Sequence, residues 1–191
     1  MRNIGICVYL KRKVFIYKTQ DNMERVVSQL QKIDVLVLSD YIIKHYGPMS
    51  HLKLQKLLFY CDAYHLAYFG TELISDKFEA WVHGPVCRKV YDSFKDKSVL
   101  YADIAYCYNE GDIDVDSEFR KLTTDQQDLL TDVLSTLSTW TGLQLEQSTH
   151  TEAPWKNARR GYSEADKCSI EISKSETETF YRDELQNAEI H

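Results

Sequence analysis

Imidazole and carboxylate side chains are the groups in this chain best suited to chemistry, and His65, His83, His150, Asp62 and Glu79 are the set that invites it. Such a set could hold a divalent metal and activate water, which would make the chain a metal-dependent hydrolase. The spacing argues otherwise. Asp62 and His65 lie three residues apart without an H-E-x-x-H pattern, and the other members fall in separate segments. A buried, hydrogen-bonded histidine is the reading the pattern favours, and no metal, cofactor or catalytic residue is assigned. Cys61 sits among apolar residues at helical spacing, as a small hydrophobe would, rather than beside an activating base. Asp112, Asp114 and Asp116 begin like a calcium loop. Ser117 stands where the turn needs glycine and Thr123 where a bidentate glutamate is needed, so a solvated loop over 103–118 is expected. Seven glycines include no phosphate-cradling loop.

Those side chains need elements to hold them, and the long stretch after Ser50 supplies the first. Leu54, Leu57, Leu58, Cys61, His65 and Tyr68 recur at three- and four-residue spacing, whereas Lys53, Lys56 and Asp62 fall off that stripe. The spacing predicts an amphipathic helix over 51–69, capped by Ser50 and ended by a left-handed Gly70. Before it, apolar residues at 35, 38, 42, 43 and 46 predict a helix stopped by Gly47-Pro48. After it, Gly84-Pro85 reads as a helix start, with a helix from about Val86 to Phe94. Thr124 to Gln127 has capping-box spacing ahead of Leu129, Leu130, Val133, Leu134 and Leu137, a core helix closing near Gly142. Short helices follow over Leu143–Ser148 and from Pro154, which carries Trp155 along, and Ser173 to Glu176 caps a terminal helix. Ile4–Leu10 and Val14–Tyr17 suit two short strands, an N-terminal β-hairpin. The fold class is mainly α: a compact single-domain helical fold with that short hairpin.

Composition excludes several classes. At 191 residues the chain can bury a full core without staples. Its five cysteines are scattered without a C-x-x-C pair, which fits a reducing cytoplasm and neither a disulfide framework nor a zinc ribbon. Ile4 to Leu10 is broken by Lys11-Arg12-Lys13 and makes a poor signal peptide, and no run approaches membrane-spanning length. Net charge is −6, yet residues 1–65 hold 10 Lys and Arg against 5 Asp and Glu, and residues 66–191 hold 13 against 24. A chain-wide nucleic-acid footprint is thereby argued against. The basic first third leaves a nucleic-acid-binding regulator as an alternative, with a solvated charged face as the simpler account.

Taken in order, the marks of the chain resemble one family. They are Leu52-Lys53-Leu54-Gln55-Lys56-Leu57-Leu58, Tyr64-His65, Gly70, Glu79-Ala80-Trp81, Gly84-Pro85-Val86 and Tyr91. Leu145, Thr149-His150, Pro154-Trp155 and Ala158-Arg159 complete the series. This sequence resembles the Panacea antitoxin domain, the phage-associated GepA-like or SocA-like proteins, over roughly residues 35 to 185. The resemblance implies a domain at 35–188; residues 1–34 lie outside it, as an N-terminal extension expected to hold the short hairpin and a helix. It also implies an antitoxin without enzymatic activity, which neutralises a cognate protein toxin by direct binding or by delivering it to a cellular protease. Lys53, Gln55, Trp81, His83, Gly84 and Pro85 form the candidate partner surface. An aromatic anchor on a rigid Gly-Pro turn, flanked by polar side chains, suits a protein partner. For Trp81 and Trp155, packing on the long helix is the competing account. Lys53 and Gln55 are expected to be exposed.

Overall fold

The computed structural model describes residues 29–94, 101, 103–104 and 113–187. The N-terminal hairpin expected over 4–17 lies outside them. Asp34 caps the first helix, α1 (Val35–Tyr46), its carboxylate accepting from Leu36 N at 2.8 Å. A two-residue strand, β1 (Met49–Ser50), pairs antiparallel with β4 (Asp103–Ile104) and leads into the long helix α2 (His51–Phe69). Ser50 Oγ accepts from Lys53 N at 3.2 Å, and Gly70 closes the helix in the left-handed region at φ 70°, both as the sequence predicts.

The chain is mainly helical and α2 is its axis. The terminal helix α8 (Lys174–Asn187), α6 (Gly142–Thr151), α5 (Thr124–Leu137), α1 and the strand β3 (Gly84–Cys87) all pack against it. Leu54, Leu57, Leu58, Cys61 and His65 are buried as expected, with Tyr68 half-buried at the end of the stripe. The expectation of an amphipathic helix is corrected, because Gln55, Lys56 and Asp62 are buried too. Burial on every side is possible because each polar side chain meets a partner that offsets its desolvation. Asp62 Oδ1 accepts from Leu73 N at 2.9 Å and Ile74 N at 3.0 Å, and its Oδ2 lies 3.4 Å from Lys174 Nζ. His65 places Nδ1 2.6 Å from Thr71 O and Nε2 2.8 Å from the Gln126 amide. That is the neutral tautomer donating at one nitrogen and accepting at the other, and burial lowers its pKa to about 4. A third polar anchor is Glu152, which accepts from Tyr60 OH at 2.9 Å and Tyr181 OH at 2.6 Å and so ties α8 to the axis.

After α2 the chain forms a hairpin, β2 (Phe78–Trp81) and β3, joined by Val82-His83. Its register sets Glu79 opposite Val86 and Ala80 opposite Pro85. Here the expected helix start at Gly84-Pro85 is wrong, since both residues are strand and the helix, α3 (Arg88–Phe94), begins only at Arg88. The ladder explains why proline is accepted. Ala80 N donates to Ile170 O at 2.9 Å and Ile172 N to Phe78 O at 2.8 Å, so the groups of Phe78 and Ala80 face an extended segment on the far edge of β2. The pairs Ala80–Pro85 and Phe78–Cys87 therefore exchange no backbone hydrogen bonds, and the N–H that proline lacks is not missed by the sheet.

Other boundaries shift by local chemistry. The capping box is Thr123 with Gln126, one residue earlier than expected, and Gly142 opens α6 behind a second box of Thr141 with Gln144 rather than closing α5. The stretch 103–118 is not all loop. Asp103 and Ile104 form β4, and Asp114 caps a short helix, α4 (Val115–Phe119), whose Val115 and Phe119 are buried. Pro154 sits in the first turn of α7 (Ala153–Ala158).

Candidate functional site

The outward edge of β3 is where Gln55 and Lys56 are spent. Because Pro85 and Cys87 direct their polar groups away from β2, those groups need partners from α2. Gln55 Oε1 accepts from Cys87 N at 2.8 Å, and its amide donates to Cys87 O at 3.3 Å and to His51 Nε2 at 3.1 Å. Its side chain thus stands in for a neighbouring strand. Lys56 Nζ donates to Pro85 O at 3.0 Å. Burial lowers the Lys56 pKa to about 7, an effect that the Glu146 carboxylate partly offsets. Gly84, at φ 92°, must be glycine for two reasons. Its backbone is left-handed, and a Cβ there would lie 2.7 Å from Lys56 Cε and from Thr149 Oγ1.

Three of the six expected surface residues are therefore internal: Gln55, Gly84 and Pro85 are buried and build the hairpin's seat on α2. Lys53 is half-buried, and its Nζ donates to Ser138 O at 2.6 Å. Trp81 and His83 are half-buried at the hairpin's turn. His83 Nδ1 lies 2.8 Å from Glu146 Oε1, with 46% of its side chain exposed. His150 stacks on Trp155 with ring centroids 4.1 Å apart, and its buried Nε2 has no partner among the described residues. His65 thus sits apart from the other two, whereas His83 and His150 share the neighbourhood of Glu146. No group of three or more His, Cys, Asp or Glu among the described residues is placed to hold a metal ion.

The hairpin, the start of α2, α3 and the segment 165–169 enclose a groove of about 820 Å³. Aromatic rings form its floor. Trp81 meets Tyr91 edge-on at 4.7 Å, Tyr91 stacks on His51 at 5.5 Å, and the Arg88 guanidinium lies 5.3 Å over Trp81. Glu79 fixes that guanidinium through Nε at 2.8 Å and Nη2 at 2.6 Å while accepting from Trp81 Nε1 at 2.8 Å. Burial, then Lys56, lowers the His51 pKa to about 4, so His51 is neutral and accepts from Gln55.

Arg159 builds the opposite wall. It is buried with no carboxylate at salt-bridge distance among the described residues, and it donates instead to backbone carbonyls: Ala80 at 2.8 Å, Ser163 at 2.7 Å and Asp166 at 2.8 Å. One guanidinium thus pins the 163–166 loop to the end of β2. Lys167, Cys168 and Ser169 then face the groove. Sequence reasoning singled out neither Arg88 nor Lys167, Arg159 or Tyr91 as site residues. Only Tyr91 and Arg159 carried a signal, as marks of the resemblance.

What the fold and groove define is a mainly α-helical domain with a recessed aromatic and basic surface beside a rigid hairpin. The profile of the family described as Antitoxin SocA-like, Panacea domain matches residues 54–156, more than half of the chain, and the chain belongs to that family. The match runs from Leu54 in α2 through the hairpin and Tyr91 to just past Trp155. No curated protein and no solved structure matches the chain. No helix among the described residues is long and apolar enough to cross a membrane.

Proposed function

We propose that the chain is the antitoxin of a toxin–antitoxin pair and neutralises its cognate toxin by direct binding, with the groove beside Trp81 and His83 as the contact surface. Family membership supports an antitoxin role. The observation that carries the surface is the groove itself: a volume of about 820 Å³ floored by Trp81 and Tyr91, with rings already fixed by Arg88, Glu79 and His51. Aromatic anchors held in place before binding lose little rotamer freedom when a partner arrives. Of the six residues the sequence suggested, Trp81 and His83 remain as contact residues. Gln55, Gly84 and Pro85 position them, and Lys53 is a neighbour tied to Ser138.

The test is co-expression with the product of the adjacent reading frame. The wild-type chain should rescue growth, and Tyr91→Ala combined with His83→Ala should rescue poorly while still unfolding cooperatively. Undiminished rescue by this double variant would move the surface elsewhere. Repeating the assay in a protease-deficient host separates direct binding, which keeps rescue, from delivery to a protease, which loses it.

A further inference from the structure

The charges around the groove are lopsided in a way that the composition does not foretell. The chain carries a net charge of −6, yet among the described residues no aspartate or glutamate lines the groove, whereas Lys56, Arg88 and Lys167 do. Two carboxylates beside it are already engaged: Glu79 holds Arg88, and Glu146 holds His83. Among the described residues neither Lys56 nor Lys167 has a carboxylate at salt-bridge distance. The Lys56 ammonium has three protons and, among the described residues, donates one of them to the carbonyl of Pro85 at 3.0 Å. A fully buried ammonium whose burial Glu146 only partly offsets is costly, and an anion entering the groove would lessen that cost through the low-dielectric wall.

We propose that the groove reads acidic side chains, so that its occupant is an extended acidic and apolar segment of the toxin, its carboxylates facing Lys167 and Arg88 and its apolar side chains lying on Trp81 and Tyr91. The inference rests on the antitoxin reading for the identity of the partner, but not for the chemistry of the groove. Arg88 is neutralised in part by Glu79, which leaves exposed Lys167 as the principal direct contact and Lys56 as a charge acting through the wall. A nucleotide would also meet cations and rings here. The floor disfavours it, because Trp81 and Tyr91 pack edge-on against each other and Arg88 already covers a Trp81 face, leaving no pair of parallel free faces for a base.

The experiment uses the full chain and three fluorescein-labelled peptides that alternate leucine with glutamate, glutamine or lysine, followed by fluorescence anisotropy. The glutamate peptide should bind about tenfold more tightly than the glutamine peptide at low ionic strength, with the lysine peptide weakest. Lys167→Glu should erase that preference at an unchanged melting temperature, and added salt should shrink it. Equal binding of the glutamate and glutamine peptides, no binding of any peptide, or a preference that survives Lys167→Glu would overturn the proposal. So would tighter binding of a single-stranded oligonucleotide of equal charge, which would assign the groove to nucleic acid. Because no toxin enters this assay, its failure leaves rescue in co-expression untouched. Failed rescue by the wild-type chain would instead defeat the antitoxin reading, and the peptides would still decide the chemistry of the groove.

Discussion

Lys56→Met should change how stability depends on pH. Lys56 is fully buried, and its folded pKa of about 7 compares with about 10.4 for an unfolded lysine. The sign follows from proton counting. Below the folded pKa both states carry the proton, and the native protein bears the full cost of a buried ammonium. Between the two values the unfolded chain holds nearly one proton more, so stability rises with pH by up to about 1.4 kcal/mol per unit. Above both values the contribution is constant. Integrated from roughly pH 6.5 to pH 9, the gain attributable to Lys56 is about 2 kcal/mol. The wild-type curve alone would hide it, because burial raises the pKa of the Cys61 thiol, which lowers stability in the upper part of the window. The quantity to measure is therefore the difference in unfolding free energy between wild type and Lys56→Met, from urea titrations at both pH values. Methionine keeps an unbranched chain beside Gly84 and gives up the bond to Pro85 O, a loss of about 1 kcal/mol that does not vary with pH. The wild type should gain about 2 kcal/mol on the variant between the lower and the higher pH. An equal difference at both would mean that Lys56 titrates like an exposed lysine, and the account of the hairpin's seat would fail with it.

Gly84→Ala forces a side chain into a left-handed position and against Lys56 and Thr149, which should cost about 2–5 kcal/mol. For a chain of this size that is a melting temperature lower by roughly 4–15 °C, and a change under about 2 °C in a thermal scan would refute the contact. Gln55→Ala leaves Cys87 N–H and C=O buried without partners, at about 1–3 kcal/mol for each group. Urea unfolding should report a loss of about 2–6 kcal/mol, and a neutral result would show that water or another backbone group replaces the amide.

The ends of α1 and α2 could be read from the sequence because caps are local: Ser50, Gly70 and Gly47 act within a few residues of themselves. The apolar stripe of α2 was equally legible. What periodicity could not show is that its polar residues are internal, since their partners are distant in sequence. Lys56 meets Pro85, and Asp62 meets Leu73, Ile74 and Lys174. A signal did exist. Leu52, Phe59, Tyr60, Ala63, Tyr64, Leu66 and Ala67 lie off the stripe and are apolar or aromatic, as suits a helix buried all round. The Gly84-Pro85 error has the same origin: proline at a helix start and proline at an unbonded ladder position look alike until the opposing strand is known.

Gln55-Lys56 on α2 and Gly84-Pro85 on the hairpin are two parts of one structural device. Two consecutive side chains on the helix satisfy the outward edge of β3, and a glycine without Cβ lets the lysine pass close enough to do so. That device fixes the position of Trp81 without touching a partner. Arg159 does the same for the opposite wall through the carbonyls of Ala80 and the 163–166 loop. Gln55, Lys56, Gly84, Pro85 and Arg159 therefore build the groove, and none of them is hydrogen-bonded to the side chains of the exposed rim cations Arg88 and Lys167 among the described residues. Charge at the rim can change without disturbing the seat of the hairpin. A domain arranged in this way can keep its fold while its choice of partner is set by a few rim positions, and for that reason Lys167, rather than Gln55 or Pro85, is the residue on which recognition by the groove should be tested.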